Sequence, residues 1–391
     1  MKQSVTRRAL FFIGGYDPKS PEAFFGRMRK EVGRFDQLWG TTTAVSDLRS
    51  DTDRGSVTIT TESRSEGWST QNDFTFLALD KLVLSDFNRP LFIRLIRYLA
   101  AFSSFILEGS ALRFFRKAWR FGLYFIYPFM TLVAFALFAA ASTLLLSSWL
   151  GFASIAIGLL VFFIALSILG RRWSTLHLMD LWSFSSQFMH GQRPDAEALL
   201  QDFAGSIVRA VGSARYDEII LIGHSTGGML ILDVAARCVS LDTGFSQRAP
   251  KVSILTLGST ALKAGYCKRA TAFRQQVSKL VAEPSLQWVE IQCLTDPINF
   301  YKTDPVKEMN LPQTRRDFPL IRTVRMKEML QPETYRRIKR NFFRVHYQYI
   351  FGNTKAYWYD FFQICCGPTT LEDRAKNHVV GNRQSCKEGC P

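Results

Sequence analysis

Residues 121–169 contain no charged side chain. This run restricts the fold more than any other feature, because it is about twice the length of roughly 20 apolar residues that one helix needs to cross a bilayer. The stretch Ser147-Ser148-Trp149-Leu150-Gly151 interrupts it, so the run predicts two membrane-spanning helices, 122–146 and 151–169, joined by a tight turn. Arg113, Arg116, Lys117 and Arg120 precede the run, and Arg171 and Arg172 close it. Positive flanks at both ends predict that both lie on the cytoplasmic side. Just upstream, Leu91, Ile93, Leu95, Ile96, Leu99, Phe102 and Ile106 recur with Arg94 and Arg97 between them. Residues 89–120 therefore read as a basic amphipathic juxtamembrane segment, with a buried helix of the soluble part as the alternative.

Charge points the same way. The chain has 49 basic and 33 acidic residues, a formal net charge of +16, which calls for an anionic partner. With a membrane-length run present, that partner is expected to be anionic membrane lipid and not nucleic acid. Residues 313–344, with Arg315, Arg316, Arg336, Arg337, Lys339, Arg340 and Arg344, are either a solvated basic face or a second contact with headgroups. Seven scattered cysteines form no disulfide framework, and Cys365, Cys366, His378, Cys386 and Cys390 lack the paired spacing of a zinc site. Reduced thiols and a cytoplasmic soluble part are expected. Lys2, Arg7 and Arg8 before residues 9–13 imitate a secretion signal, but the apolar core is short and no small-x-small cleavage site follows.

The remaining chain reads as strands alternating with helices. Residues 9–13, 57–60, 74–77, 251–258 and 286–293 are strand-like; residues 20–38, with Phe24, Phe25, Met28, Val32 and Phe35 at helical spacing, and 194–212 read as helices. Trp173, Trp182, Phe184 and Phe188 suit either the membrane interface or the mouth of a site. Asp217 and Glu218 open an apolar run, Ile219-Ile220-Leu221-Ile222, which reads as a buried parallel strand. Residues 229–238 after it read as an apolar helix, and between the two stands Gly223-His224-Ser225-Thr226-Gly227. A serine held in a strained turn at a strand's end needs glycine two residues to either side, where a side chain would strike the neighbouring backbone.

This strand–turn–helix with its G-x-S-x-G resembles the nucleophile elbow of the α/β-hydrolase superfamily. The resemblance implies an α/β fold, a mostly parallel sheet flanked by helices, here interrupted by the two-helix hairpin. Residues 1–88 and 171–378 would form that domain, 89–120 and 121–170 would interrupt it, and 379–391 would be a disordered tail. It also implies roles: Ser225 as nucleophile, and the N–H groups of Thr226 and of the Gly15–Tyr16 loop as the oxyanion hole. The family's chain order of serine, acid and histidine makes Asp296, just after the 286–293 strand, the triad acid, with Asp304 as its rival. Of five histidines, His177 and His190 precede the nucleophile and His224 is fixed in the elbow, which leaves His346 and His378. His346 is preferred, because the apolar 354–364 segment after it suits the family's closing helix.

The expectation is a membrane-anchored serine hydrolase cleaving an ester or thioester, of a lipidic substrate, with no metal or organic cofactor. Acyl transfer uses the same parts. A non-catalytic membrane scaffold on the same fold is the alternative of another class. The Gly15–Tyr16 loop precedes the hairpin and Ser225 follows it, so a shared site requires an even number of crossings.

Overall fold

The computed structural model describes residues 4–312 and 318–380. Arg315, Arg316, Cys386, Cys390 and nearly all of the expected disordered tail lie outside the described residues. The chain divides into two compact units, one running up to Val83 and resuming at Arg193, the other spanning Leu84–Gln192.

The first unit is built on a nine-stranded sheet: β1 (Arg7–Ile13), β2 (Thr42–Val45), β3 (Arg49–Asp51), β4 (Arg54–Ser63), β5 (Trp68–Leu77), β6 (Glu218–His224), β7 (Lys251–Leu257), β8 (Leu286–Gln292) and β9 (Leu320–Thr323). The strand order is β2-β4-β5-β1-β6-β7-β8-β9, with β3 also on β4. From β5 to β9 every pairing is parallel, whereas β2, β3 and β4 form an antiparallel edge. Side-chain patterning explains the division. β6 is buried at every position and so needs cover on both faces, as a parallel strand does, while β4 alternates buried and open residues and needs cover on one.

β1 hydrogen-bonds to β6 in register from Arg8↔Glu218 to Ile13↔Gly223, and to β5 on its other side. Chain from before and after the Leu84–Gln192 unit thus shares one sheet, and that unit is an insertion between β5 and β6. A buried ion pair locks the junction. Arg8 Nε lies 2.7 Å from Glu218 Oε2, both fully buried, and the guanidinium also donates to Asn72 and to the carbonyls of Cys365, Gly367 and Thr369. Helix α1 (Pro21–Trp39) is capped by Ser20 and ends at Gly40, and it buries the stripe of Phe24, Phe25, Met28, Val32 and Phe35 that its spacing predicts.

The inserted unit is helical: α2 (Leu91–Leu107), α3 (Ser110–Lys117), α4 (Trp119–Leu150), α5 (Ala153–Arg172) and α6 (Thr175–Met189). Helices α4 and α5 are long and apolar enough to cross a membrane; α4 runs past the expected 122–146 at both ends, while α5 starts two residues after 151 and ends three after 169. Most of their apolar surface is open: Leu145 on α4 is 77% and Ile168 on α5 62% exposed. Helices apolar on their exposed sides are suited to lipid as solvent. Within the hairpin a side chain at Gly158 would meet Thr143 Oγ1 at 1.9 Å, so glycine there lets the two helices close up.

Two readings of this unit are corrected. Residues 171–192, grouped from sequence with the sheet, pack with the hairpin: Trp182 is fully buried against Phe105, Phe121 and Phe125, not at an interface or a site mouth. Arg94, expected on a basic membrane-facing surface, is turned inward to Asp180, which also accepts a 2.8 Å hydrogen bond from Tyr98. A carboxylate buried on α6 needs a counter-charge. The exposed face of α2 is instead apolar, with Phe92, Ile96, Leu99 and Leu107.

Helices α7 (Pro194–Gly212) and α8 (Thr226–Leu241) return to the first unit and pack on each other beside β6.

Candidate active site

Strand β6 delivers His224, Ser225 follows at φ 59° and ψ −123°, and α8 begins at Thr226. A positive φ at a residue other than glycine is strained, and the surroundings must hold it. They do so on both sides: the Ser225 N–H donates to Leu257 O at 3.0 Å, and the Thr260 N–H donates to Ser225 O at 3.1 Å. The flanking glycines are required. A Cβ on Gly227 would sit 2.2 Å from Ile13 O, and one on Gly223 would sit 2.4 Å from Gly227 O.

The loop after β1 lies against this serine, since a Cβ on Gly15 would stand 3.5 Å from Ser225 Oγ. Tyr16, next in the chain, is buried. Thr226 is the first residue of α8, where backbone N–H groups have no partner inside the helix and the helix dipole favours negative charge.

Asp296 stands in the turn after β8, fully buried. Its Oδ1 accepts from the Ile298 N–H at 2.9 Å, and Asn299 ties the turn by donating to Cys293 O and Asp296 O. Its Oδ2 lies 2.7 Å from His346 Nδ1. The rival Asp304 is occupied elsewhere, capping the short helix Pro305–Glu308 through the N–H groups of Val306 and Lys307.

His346 lies on a short helix, Phe342–Tyr347, begun by an Asn341 cap. It is 3% exposed. The closing helix expected at 354–364 starts only at Phe361, because Asp360 caps it through the N–H groups of Phe362 and Gln363. His378 lies against Trp358 in a tilted contact, with ring centroids 4.8 Å apart.

The Asp296 carboxylate at Nδ1 fixes the His346 tautomer that leaves a lone pair on Nε2, the arrangement of a general base. That Nε2 is buried and has no hydrogen-bond partner among the described residues. No hydrogen bond links it to Ser225, a contact that in resting sites often forms only when substrate is bound.

Sequence reasoning missed a role for His224. Its Nε2 lies 2.9 Å from His346 O, and the two rings are 4.6 Å apart. A carbonyl only accepts, so the proton is on Nε2 and Nδ1 is a bare acceptor, without a partner among the described residues. Burial, then the neighbouring His346, holds the His224 pKa well below the ordinary imidazole range, so the ring stays neutral. It braces the histidine segment from the elbow itself. Only its place next to Ser225 could have hinted at this, since the bonded residues are 122 positions apart.

Beside the elbow is a narrow cleft of about 20 Å³, room for one or two waters, whose wall includes Gly15, Asp17, Lys19, Arg27, His224 and Tyr347. No family model, curated protein or solved structure matches this chain.

Proposed function

We propose that this chain is a membrane-anchored serine hydrolase of the α/β-hydrolase type, with its sheet unit in the cytoplasm. The observation that carries the reading is the buried Asp296–His346 pair at 2.7 Å, in a unit whose parallel sheet also holds Ser225 in a strained strand-to-helix turn. In the proposed reaction Ser225 Oγ attacks an acyl carbonyl carbon while its proton passes to His346 Nε2. The N–H groups of Thr226 and of the Gly15–Tyr16 loop receive the oxyanion. The C–O or C–S bond then breaks, its electron pair leaves on the alcohol or thiol, and His346 returns the proton to that group. Water, deprotonated by the same histidine, attacks the acyl carbon; the C–Oγ bond breaks, His346 returns the proton to Ser225 Oγ, and the carboxylic acid leaves. An acceptor alcohol in place of water gives acyl transfer.

Sheet sharing supports the topology. Strands β1 and β6 pair directly although the helical unit separates them in sequence, and one sheet cannot straddle a bilayer, so the crossings must be even in number. Helices α4 and α5 supply two. Arginines at the outer ends of the hairpin favour the cytoplasm for both, and buried free thiols at Cys238, Cys267, Cys293, Cys365 and Cys366 suit that compartment.

The test is labelling of the purified protein with a fluorophosphonate probe. Label that disappears in Ser225→Ala supports the hydrolase. A folded but unlabelled wild type supports a non-catalytic scaffold.

A further inference from the structure

We infer that the cleft beside the elbow is a subsite for a phosphate-class oxyanion on the substrate, received by Arg27; this rests on the hydrolase reading of Ser225. The cleft adjoins the proposed chemistry, since Gly15 lines it and also lies against the nucleophile. Arg27 makes no hydrogen bond or ion pair among the described residues. Its guanidinium is held only by rings, 4.9 Å from Phe351, 5.6 Å from Phe24 and 5.9 Å from Tyr347. Burial lowers its pKa. A half-buried fork of N–H donors stacked on aromatics and left without an acceptor matches the bidentate geometry of phosphate.

The nearby acids Asp17 and Glu31 attract this charge, but each is already bonded to other groups. Asp17 Oδ2 is shared between Lys19 Nζ at 3.1 Å and the Tyr347 hydroxyl at 2.7 Å. Glu31 is bonded to Arg34 at 2.8 Å and to the Gly352 N–H at 2.9 Å. Arg344 adds a further cation, 3.8 Å from the Phe351 ring centroid. His224 also lines the cleft, and its Nδ1 has no hydrogen-bond partner among the described residues. The cleft is too small for an acyl chain, so only oxygens of a compact anion would enter it while the chain lies elsewhere.

The experiment compares two soluble esters that differ only by the phosphate, 1-hexanoylglycerol 3-phosphate and 1-hexanoylglycerol, and repeats the pair with oleoyl chains in phosphatidylcholine vesicles. Wild type should favour the phosphate-bearing ester in kcat/KM by at least tenfold, and Arg27→Gln should reduce that ratio about tenfold or more. Preference in the soluble pair marks a free phosphate ester; preference confined to vesicles marks a lipid headgroup. Both support the subsite. A wild-type ratio near one, or a ratio unchanged in Arg27→Gln, overturns it while the hydrolase reading stands. Neither ester cleaved and no fluorophosphonate label on Ser225 overturns both. A second measurement avoids variants: millimolar inorganic phosphate should slow labelling of wild type, and chloride at equal ionic strength should not. Equal effects of the two salts would also overturn the subsite.

Discussion

Strand β6 and the α4–α5 hairpin each carry an uninterrupted apolar run, yet their surfaces meet opposite fates. Ile219, Ile220, Leu221 and Ile222 are wholly buried between layers of their own unit, while Leu145 and Phe152 stand open. The acids Asp217 and Glu218 open the first segment, with Glu218 paired to Arg8; arginines bracket the second. Hydrophobicity alone therefore does not say where a segment goes. Length, flanking charge and the partners offered by the rest of the chain do, and every proposed catalytic side chain comes from the unit that buries its own strands.

The sharpest break between the units should be in activity. Replacing His346 with Ala or Asp296 with Asn should lower kcat by about 10⁴-fold in ester hydrolysis, whereas His378→Ala should change it less than about twofold. A large loss in His378→Ala would show that the wrong histidine has been assigned. Next comes stability. Arg8→Ala leaves Glu218 buried without its counter-charge and should destabilise the sheet unit by about 3–5 kcal/mol, read as a lowered Tm in detergent. Leu145→Ser, on the open hairpin surface, should leave that transition unmoved.

A charge in the hairpin should act on insertion instead. Leu160, 59% exposed on α5, becomes a lipid-facing cation in Leu160→Arg, at about 2.5–3.5 kcal/mol against membrane insertion at mid-span. A reporter tag at Ser148, near the turn between α4 and α5, would show the inserted fraction fall. No change would place α5 outside the bilayer.

The smallest effect is a pH slope. Glu290 on β8 is fully buried beside Thr256, and burial raises its pKa from 4.5 to about 8. A raised acid stabilises fully below its unfolded pKa and loses that contribution as pH rises through the folded one. Tm should therefore fall between pH 5 and pH 8, and Glu290→Gln should flatten the fall. An identical slope in the variant would remove Glu290 as its source.

What could be read from sequence was local. The elbow glycines, the helical stripe of α1 and the uncharged run each carry their signal within a few turns of chain, and each appears close to where it was expected. The misreadings needed distant partners. Nothing near Arg94 reveals that Asp180, 86 residues on, draws it inward. Trp182 was ambiguous until the rings around it were known. Strands β2 and β3 are short and largely open, so they lack the apolar period by which a strand is recognised. The Asp296–His346 pair was expected from the family's chain order and not from spacing, since the two lie 50 residues apart, one in a turn and one on a short helix. His224 and Arg27 were passed over because their partners come from the segment around His346.

The central claim joins a serine nucleophile in the sheet unit to a hairpin that returns the chain to the same side of the membrane. A membrane-impermeant fluorophosphonate tests both halves in one measurement, applied to sealed cytoplasm-side-out vesicles and to intact cells. The account predicts Ser225-dependent labelling of the vesicles and none of the cells until detergent opens them. Labelling of intact cells, or no labelling in detergent, would contradict it.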